Sequence, residues 1–182
     1  VLYGDYNPSG KLPVTFPRSV GQLPLYYNHL STGRPSTNDP ESVFWSHYID
    51  EKTTPQFPFG YGLSYSKFEY SDLKISAESF SKNGTLTASI QVKNNSSVAG
   101  KEVIQMYIRD LFGSISRPVK ELKDFQLVAF EPYETKTIQF EINEKTITFF
   151  TANKIWEAEK GDFKLFIGGN SADVLEKSFE YK

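Results

Sequence analysis

Apolar residues alternate with polar ones in several short runs of the chain, and this pattern constrains the fold more than any other feature. Between positions 85 and 92, four apolar residues occupy every second place. Because successive side chains of a strand point to opposite faces, each such run predicts a strand with one face in a core. The runs comprise Leu86, Ala88, Ile90 and Val92; Ile104, Met106 and Ile108; Ile138, Phe140 and Ile142; Phe163, Leu165 and Ile167; and finally Phe179 and Tyr181.

Turn-forming residues separate these runs, as at Asn83-Gly84, Asn94-Asn95 and Gly168-Gly169. Several short strands with turns at this spacing are typical of an antiparallel sandwich, as in immunoglobulin-like or fibronectin type III-like domains. No long segment has a helical period, although Asn143 is placed to cap one short helical turn before Thr146. The fold class predicted is therefore mainly β, with the sandwich over residues 66–182.

Residues 1–65 are different, because prolines and glycines recur throughout them. Leu12, Val14 and Phe16 alternate and predict a short strand, which Pro13 places at a sheet edge. Rings left in water cost about 25 cal/mol per Å² of apolar surface, so we expect the aromatic part of this segment to pack on a neighbouring surface. We expect it either to fold back on the sandwich or to be the least protected part of the chain. Its rings are Phe44, Trp45, Tyr48, Phe57, Phe59, Tyr61 and Tyr65.

Composition excludes several classes of function. The chain has no cysteine, a net charge of −2 and a pI near 5.8, which argues against thiolate sites and against a nucleic-acid partner. No apolar stretch approaches the roughly 18 residues of a membrane span. His29 and His47 lack partners at metal-ligand spacing, and Gly60-Tyr61-Gly62 is not a phosphate loop. We therefore expect no metal and no cofactor.

Carboxylates are present in the first third, but their spacing assigns no reaction. Glycoside hydrolysis needs two carboxyl groups at a defined separation, and Asp5, Asp39 and Asp50 with Glu51 give no such information. We assign no catalytic residue. Trp45 and Tyr48 either stack on a sugar ring, as the only candidates for substrate binding, or pack against the neighbouring surface.

Several consecutive motifs resemble the C-terminal part of glycoside hydrolase family 3, and the resemblance extends over nearly the whole chain. Within the family the chain is most similar to the bacterial periplasmic β-glucosidases. The motifs are GDYNPSGKLPVTFPRS (4–19), PLYYNH (24–29), TGRP (32–35), YID (48–50), FPFGYGLSY (57–65), VIQMY (103–107), SRPVKEL (116–122) and FKLFIG (163–168).

The resemblance implies that residues 1–65 are the tail of an α/β sandwich domain with a connector, and that residues 66–182 are a fibronectin type III-like domain. It also implies a longer parent, a periplasmic or secreted β-glucosidase that retains anomeric configuration. The nucleophile would be an Asp in an upstream barrel domain and the acid/base a Glu in the α/β domain. No residue of this chain matches either motif. The expected partners are those upstream domains and, through the parent, β-glucosides. The alternative is a free-standing carbohydrate-binding or adhesion module.

Overall fold

The structure, a computed structural model, describes residues 1–31 and 47–182. In these two ranges, ten strands account for most of the regular structure, with one 3-10 turn, η1 (Val20–Gln22), and one short helix, α1 (Glu144–Ile147). Within the described residues no helix has the length and apolar character needed to cross a membrane. The strands are β1 (Phe68–Ile75), β2 (Ser79–Phe80), β3 (Thr85–Asn94), β4 (Gly100–Asp110), β5 (Glu121–Phe130), β6 (Thr135–Asn143), β7 (Phe149–Phe150), β8 (Trp156–Glu157), β9 (Gly161–Gly168) and β10 (Val174–Tyr181).

Two sheets form a sandwich, which confirms the predicted fold class. One sheet has the order β1-β3-β6, and the other has the order β2-β10-β9-β4-β5. Neighbouring strands are antiparallel, except that the two-residue β2 runs parallel to β10. Strands β7 and β8 form a separate hairpin.

The core lies between the two sheets, and the predicted alternating residues form it. All residues of the predicted runs are buried, and those of β3 are completely inaccessible to water. Phe163 and Phe179 stack across the β9–β10 pair with ring centroids 5.3 Å apart. A buried phenylalanine contributes roughly 1.5–3 kcal/mol relative to an exposed one, so this core accounts for the stability of the sandwich.

The short helical turn after β6 is also confirmed. Asn143 has an extended backbone and caps α1, and its side-chain oxygen accepts a hydrogen bond from the Thr146 amide at 3.3 Å. The Thr146 hydroxyl accepts one from the Asn143 amide at 3.2 Å. This reciprocal pair satisfies two backbone donors that a helix start leaves free.

The predicted strand at Leu12, Val14 and Phe16 was wrong. Phe16 forms only an isolated bridge with Phe57, and the Leu12 amide donates to the carbonyl of Tyr61 at 2.8 Å. Pro13, like Pro17 beyond it, has no backbone N–H, so a continuous ladder cannot form here.

The described part of residues 1–65 lies against the outer face of the five-stranded sheet. Tyr27 and Phe59 stack at 4.1 Å, and both rings meet Tyr107 of β4 edge-on, at 5.8 and 6.5 Å. Tyr107 alternates with core residues and so faces away from the core, yet it is fully buried. Gln105, on the same face, donates to the Gly60 carbonyl at 3.1 Å. The segment therefore folds back on the sandwich and covers part of its outer surface.

Candidate functional site

A pocket of about 330 Å³ lies between the folded-back segment and the sandwich. The segment contributes residues 9–11 and 61–64, and the sandwich contributes the start of β1, the start of β4 and the turn after β9. Aromatic and polar residues both line the pocket. The aromatic ones are Tyr61 and Phe68, and the polar ones include Ser9, Asn170 and Asp173. This volume is at the lower end of the range for small-molecule sites.

Glu102 lines this pocket together with Lys11 and Asp173, which are also charged. It lies near the start of β4, on the same face of the strand as the core residue Ile104. Its residue surface is only 5% exposed. Lys11 of the segment donates to Glu102 Oε1 at 2.9 Å, and the Tyr70 hydroxyl of β1 donates to the same oxygen at 2.8 Å. A buried carboxylate needs such partners, so this triad links the segment to both sheets.

Two glycines allow the walls to approach this closely. A Cβ on Gly169 would lie 2.7 Å from Glu102 Oε1, and a Cβ on Gly62 would lie 2.4 Å from the carbonyl oxygen of Gly10. Both distances are shorter than van der Waals contact allows. The Gly-Tyr-Gly and Gly-Gly motifs therefore have a steric role at this site.

The pKa of the Tyr70 hydroxyl is shifted from its ordinary value. Burial raises its pKa above the ordinary value of 10.0, and the adjacent Glu102 carboxylate raises it further. Burial and the nearby Tyr27 also raise the pKa of Tyr107. The folded chain therefore keeps both hydroxyls protonated in alkali, where an unfolded chain would release those protons.

This difference predicts that the free energy of unfolding falls as pH rises in alkali. Tyr70→Phe should make this pH dependence less steep. Above about pH 10 the unfolded state binds fewer protons than the folded state, so the free energy of unfolding falls as pH rises. Each such tyrosine adds about 1.4 kcal/mol per pH unit to that slope. Urea denaturation of the wild type and the variant at pH 9, 10 and 11 measures both slopes. Identical slopes would contradict the protonated, buried state of Tyr70.

Of the residues proposed from the sequence, those that the structure describes do not line this pocket. Trp45 lies outside the described residues, and Tyr48 is 41% exposed and remains a predicted sugar contact. Asp39 also lies outside the described residues, whereas Asp5 and Asp50 are exposed. Within residues 1–31 and 47–182, no group of three or more histidine or acidic side chains is placed to hold a metal ion.

Sequence reasoning did not identify Lys11, Tyr70 and Glu102 as a group. One signal was available: Glu102 continues the inward series of Ile104, Met106 and Ile108, so a charge occurs where an apolar residue is expected. Its partners come from 91 and 32 positions away along the chain. No local pattern in the sequence connects them.

The SRPVKEL motif forms a second network, which is structural. Arg117 pairs with Glu121 at 2.6 Å and Asp110 at 3.7 Å, and its guanidinium lies 4.0 Å from the Phe149 ring centroid. Burial raises the pKa of Asp110, while its hydrogen bond from the Phe112 amide and the charge of Arg117 act in the opposite direction.

Lys120 of the same motif donates to the carbonyl of Ser171 at 2.6 Å and lies 4.4 Å from the Phe166 ring centroid. Burial lowers its pKa. The motif thus joins the loop between β4 and β5 to the β7–β8 hairpin and to the turn after β9.

Two family models match this chain. Residues 1–65 match the glycosyl hydrolase family 3 C-terminal domain, and residues 102–171 match a fibronectin type III-like domain. A periplasmic β-glucosidase of Salmonella typhimurium is 48% identical over 99% of this chain and 24% of its own length. A putative β-xylosidase of Formosa agariphila is 40% identical over the whole chain and 23% of its own length.

Solved structures agree with these matches. The crystal structure of a β-glucosidase from Listeria innocua superposes with a TM-score of 0.89 at 44% identity, over 99% of this chain and 25% of that one. A β-glucosidase complex with laminaribiose from the same organism gives a TM-score of 0.90. The chain spans about a quarter of the length of the relatives it matches. The resemblance predicted from the sequence motifs is therefore confirmed, and the chain belongs to glycoside hydrolase family 3, of which it carries the C-terminal and fibronectin type III-like domains.

Proposed function

We propose that this chain is the C-terminal, non-catalytic part of a β-glucosidase that hydrolyses terminal β-D-glucosyl residues with retention of configuration. Its role is to buttress the upstream catalytic domains. Relatives named as β-glucosidases, at 48% and 40% identity, support this activity for the parent. Residues 1–65 would belong to the end of the α/β domain and its connector, and residues 66–182 to the fibronectin type III-like domain.

One observation supports the proposed role of this chain as a buttress for the upstream domains. The described part of residues 1–65 packs against the sandwich and also leaves several large apolar side chains exposed. So many exposed apolar side chains in one short segment favour an interaction surface. The barrel and α/β domains expected upstream would cover it. The exposed side chains are Leu2, Tyr3, Val20, Leu23, Tyr26, Ile49 and Leu63.

The chemistry of the parent would then depend on two carboxyl groups outside this chain. A retaining glycosidase needs a nucleophile and an acid/base about 5–5.5 Å apart. The buried carboxylate described above, Glu102, is engaged by Lys11 and Tyr70 rather than paired with a second carboxyl group. This chain would contribute a rigid support on which the α/β domain ends.

A periplasmic or secreted location is proposed on the same basis. The Salmonella typhimurium relative is named a periplasmic β-glucosidase. The absence of cysteine from the chain is compatible with an oxidising compartment, because no thiol is available for unwanted pairing.

The coding sequence upstream of Val1, together with an activity assay, tests the proposed function. We expect the upstream sequence to encode the two catalytic domains, and the full-length protein to hydrolyse an aryl β-D-glucoside. The chain of residues 1–182 alone should have no activity. An aryl β-D-xyloside should be assayed in parallel, because a putative β-xylosidase is 40% identical. Hydrolysis by residues 1–182, or an upstream sequence without those domains, would overturn the proposal.

The second candidate is a free-standing carbohydrate-binding or adhesion module with Trp45 and Tyr48 as its platform. The exposure of the Tyr48 ring favours it, because a stacking platform must be accessible to the sugar. Titration of residues 1–182 with cello- and laminari-oligosaccharides tests this function. Sub-millimolar binding that Trp45→Ala abolishes would favour the module over the buttress.

A further inference from the structure

Glu102 has one oxygen that the triad does not use. Lys11 and Tyr70 both donate to Oε1. Among the described residues, none donates a hydrogen bond to Oε2, and this oxygen is not one of the fully buried side-chain atoms that lack a partner. It is therefore open to water or to a ligand in the pocket that Glu102 lines. The pocket therefore presents an acceptor for a hydroxyl or amide donor.

Charge around the pocket restricts what that donor can be. The ammonium group of Lys11 lies 2.9 Å from the carboxylate, and it opposes a metal cation by like-charge repulsion. An anion would be opposed by Glu102 itself and by Asp173, whose carboxylate also lines the pocket. A neutral molecule with several hydroxyl groups meets neither penalty.

The remaining lining suits such a molecule. Ser9 supplies a further hydrogen-bonding group and Tyr61 supplies an aromatic ring. The Asn170 side chain is already engaged within its own turn, because it accepts from two backbone amides and donates to the Asp173 carboxylate. That ring is held in place because it stacks on Phe57 at 4.9 Å. Sugars combine hydroxyl edges with apolar C–H faces, and sites for them combine polar side chains with aromatic rings. The volume of about 330 Å³ has room for one sugar ring rather than a chain.

We propose that this pocket is a monosaccharide-binding site, in which a hydroxyl of a neutral hexose donates to Glu102 Oε2. Tyr48 is not among the residues that line this site. The ligand would contact the segment and the sandwich together, and so would strengthen their association. The argument rests on the pocket alone, and holds whether or not the parent has the proposed activity.

Titration of ¹⁵N-labelled residues 1–182 with D-glucose tests the proposal. A ligand of this size should bind with a dissociation constant on the order of 1–10 mM. We expect saturable shifts of the Gly62, Gly169 and Asn170 amide signals. Glu102→Gln should weaken binding about tenfold, because a charged acceptor is replaced by a neutral one. Glu176→Gln, at an exposed ion pair with Lys164, is the matched control and should bind like the wild type.

A second variant keeps the test valid if Glu102→Gln does not fold. Ser9→Phe adds a bulky ring at the wall of the pocket, outside every strand, and should abolish the shifts while leaving the amide spectrum dispersed. No saturable shift up to about 100 mM glucose would overturn the proposal, as would shifts that persist in both variants. Saturable shifts with Ca²⁺ but not with glucose would also overturn it. A parent without glucosidase activity would leave this result unchanged, so the two proposals fail separately.

Discussion

Replacing Tyr107 by alanine is expected to lower the free energy of unfolding by about 4 kcal/mol. The ring is fully buried although it faces away from the core, because Tyr27 and Phe59 cover it. The substitution leaves a cavity between the segment and the outer face of the sheet, and the hydroxyl that donates to Gln105 is lost as well. Both effects act at the surface that holds the segment.

Urea denaturation and hydrogen exchange measure this effect. We expect the amides of Val119 and Ser171 to lose protection, because they donate to backbone carbonyls of the segment and these hydrogen bonds form only while the segment is docked. Tyr107→Phe should cost about 1 kcal/mol, for one hydrogen bond. Tyr26→Ala removes an exposed ring of the segment and should change stability by less than about 0.5 kcal/mol. A cost near 1 kcal/mol for Tyr107→Ala, with exchange unchanged, would contradict the role assigned to this residue.

Replacing Lys11 by methionine is expected to cost about 3 kcal/mol of stability. The variant keeps most of the length of the side chain but leaves the Glu102 carboxylate buried with only the Tyr70 hydroxyl as partner. Removal of one member of a buried ion pair is strongly destabilising, since the remaining charge stays uncompensated. Because Lys11 belongs to the segment and Glu102 to β4, the loss also weakens the docking of the segment.

A double-mutant cycle distinguishes this cause from lost packing. Adding Glu102→Gln to Lys11→Met removes the uncompensated charge, so we expect the double variant to recover more than half of the loss. Lys164→Met, in the exposed pair with Glu176, is the control and should cost less than about 1 kcal/mol. If the double variant is no more stable than Lys11→Met, the buried charge is not the cause.

Much of the sandwich could be predicted from local patterns. The alternation at Leu86–Val92 and in the later runs places each residue on one face, because the side-chain period of a strand is two. The helix cap at Asn143 could also be predicted from the sequence, since it involves residues only three positions apart. The strand expected at Leu12, Val14 and Phe16 was wrong because the prolines within it and just after it have no backbone N–H to donate to a ladder. Strands β2, β7 and β8, of two residues each, are too short to show a period.

The candidate site could not be predicted from local patterns in the sequence. Lys11, Tyr70 and Glu102 are brought together by the docking of the segment, over separations of 91 and 32 residues. An unexpected charge in an inward position was visible in the sequence, but its partners were not.

The sequence by itself determined the β-sandwich, its inward faces and the membership of glycoside hydrolase family 3, because alternation, turns and consecutive motifs are local properties. Only the tertiary structure decided where the aromatic segment lies and which charges meet at the pocket. Those contacts depend on the burial of Tyr107 and Glu102 between distant parts of the chain, and burial is a property of the packed molecule rather than of any short stretch of it.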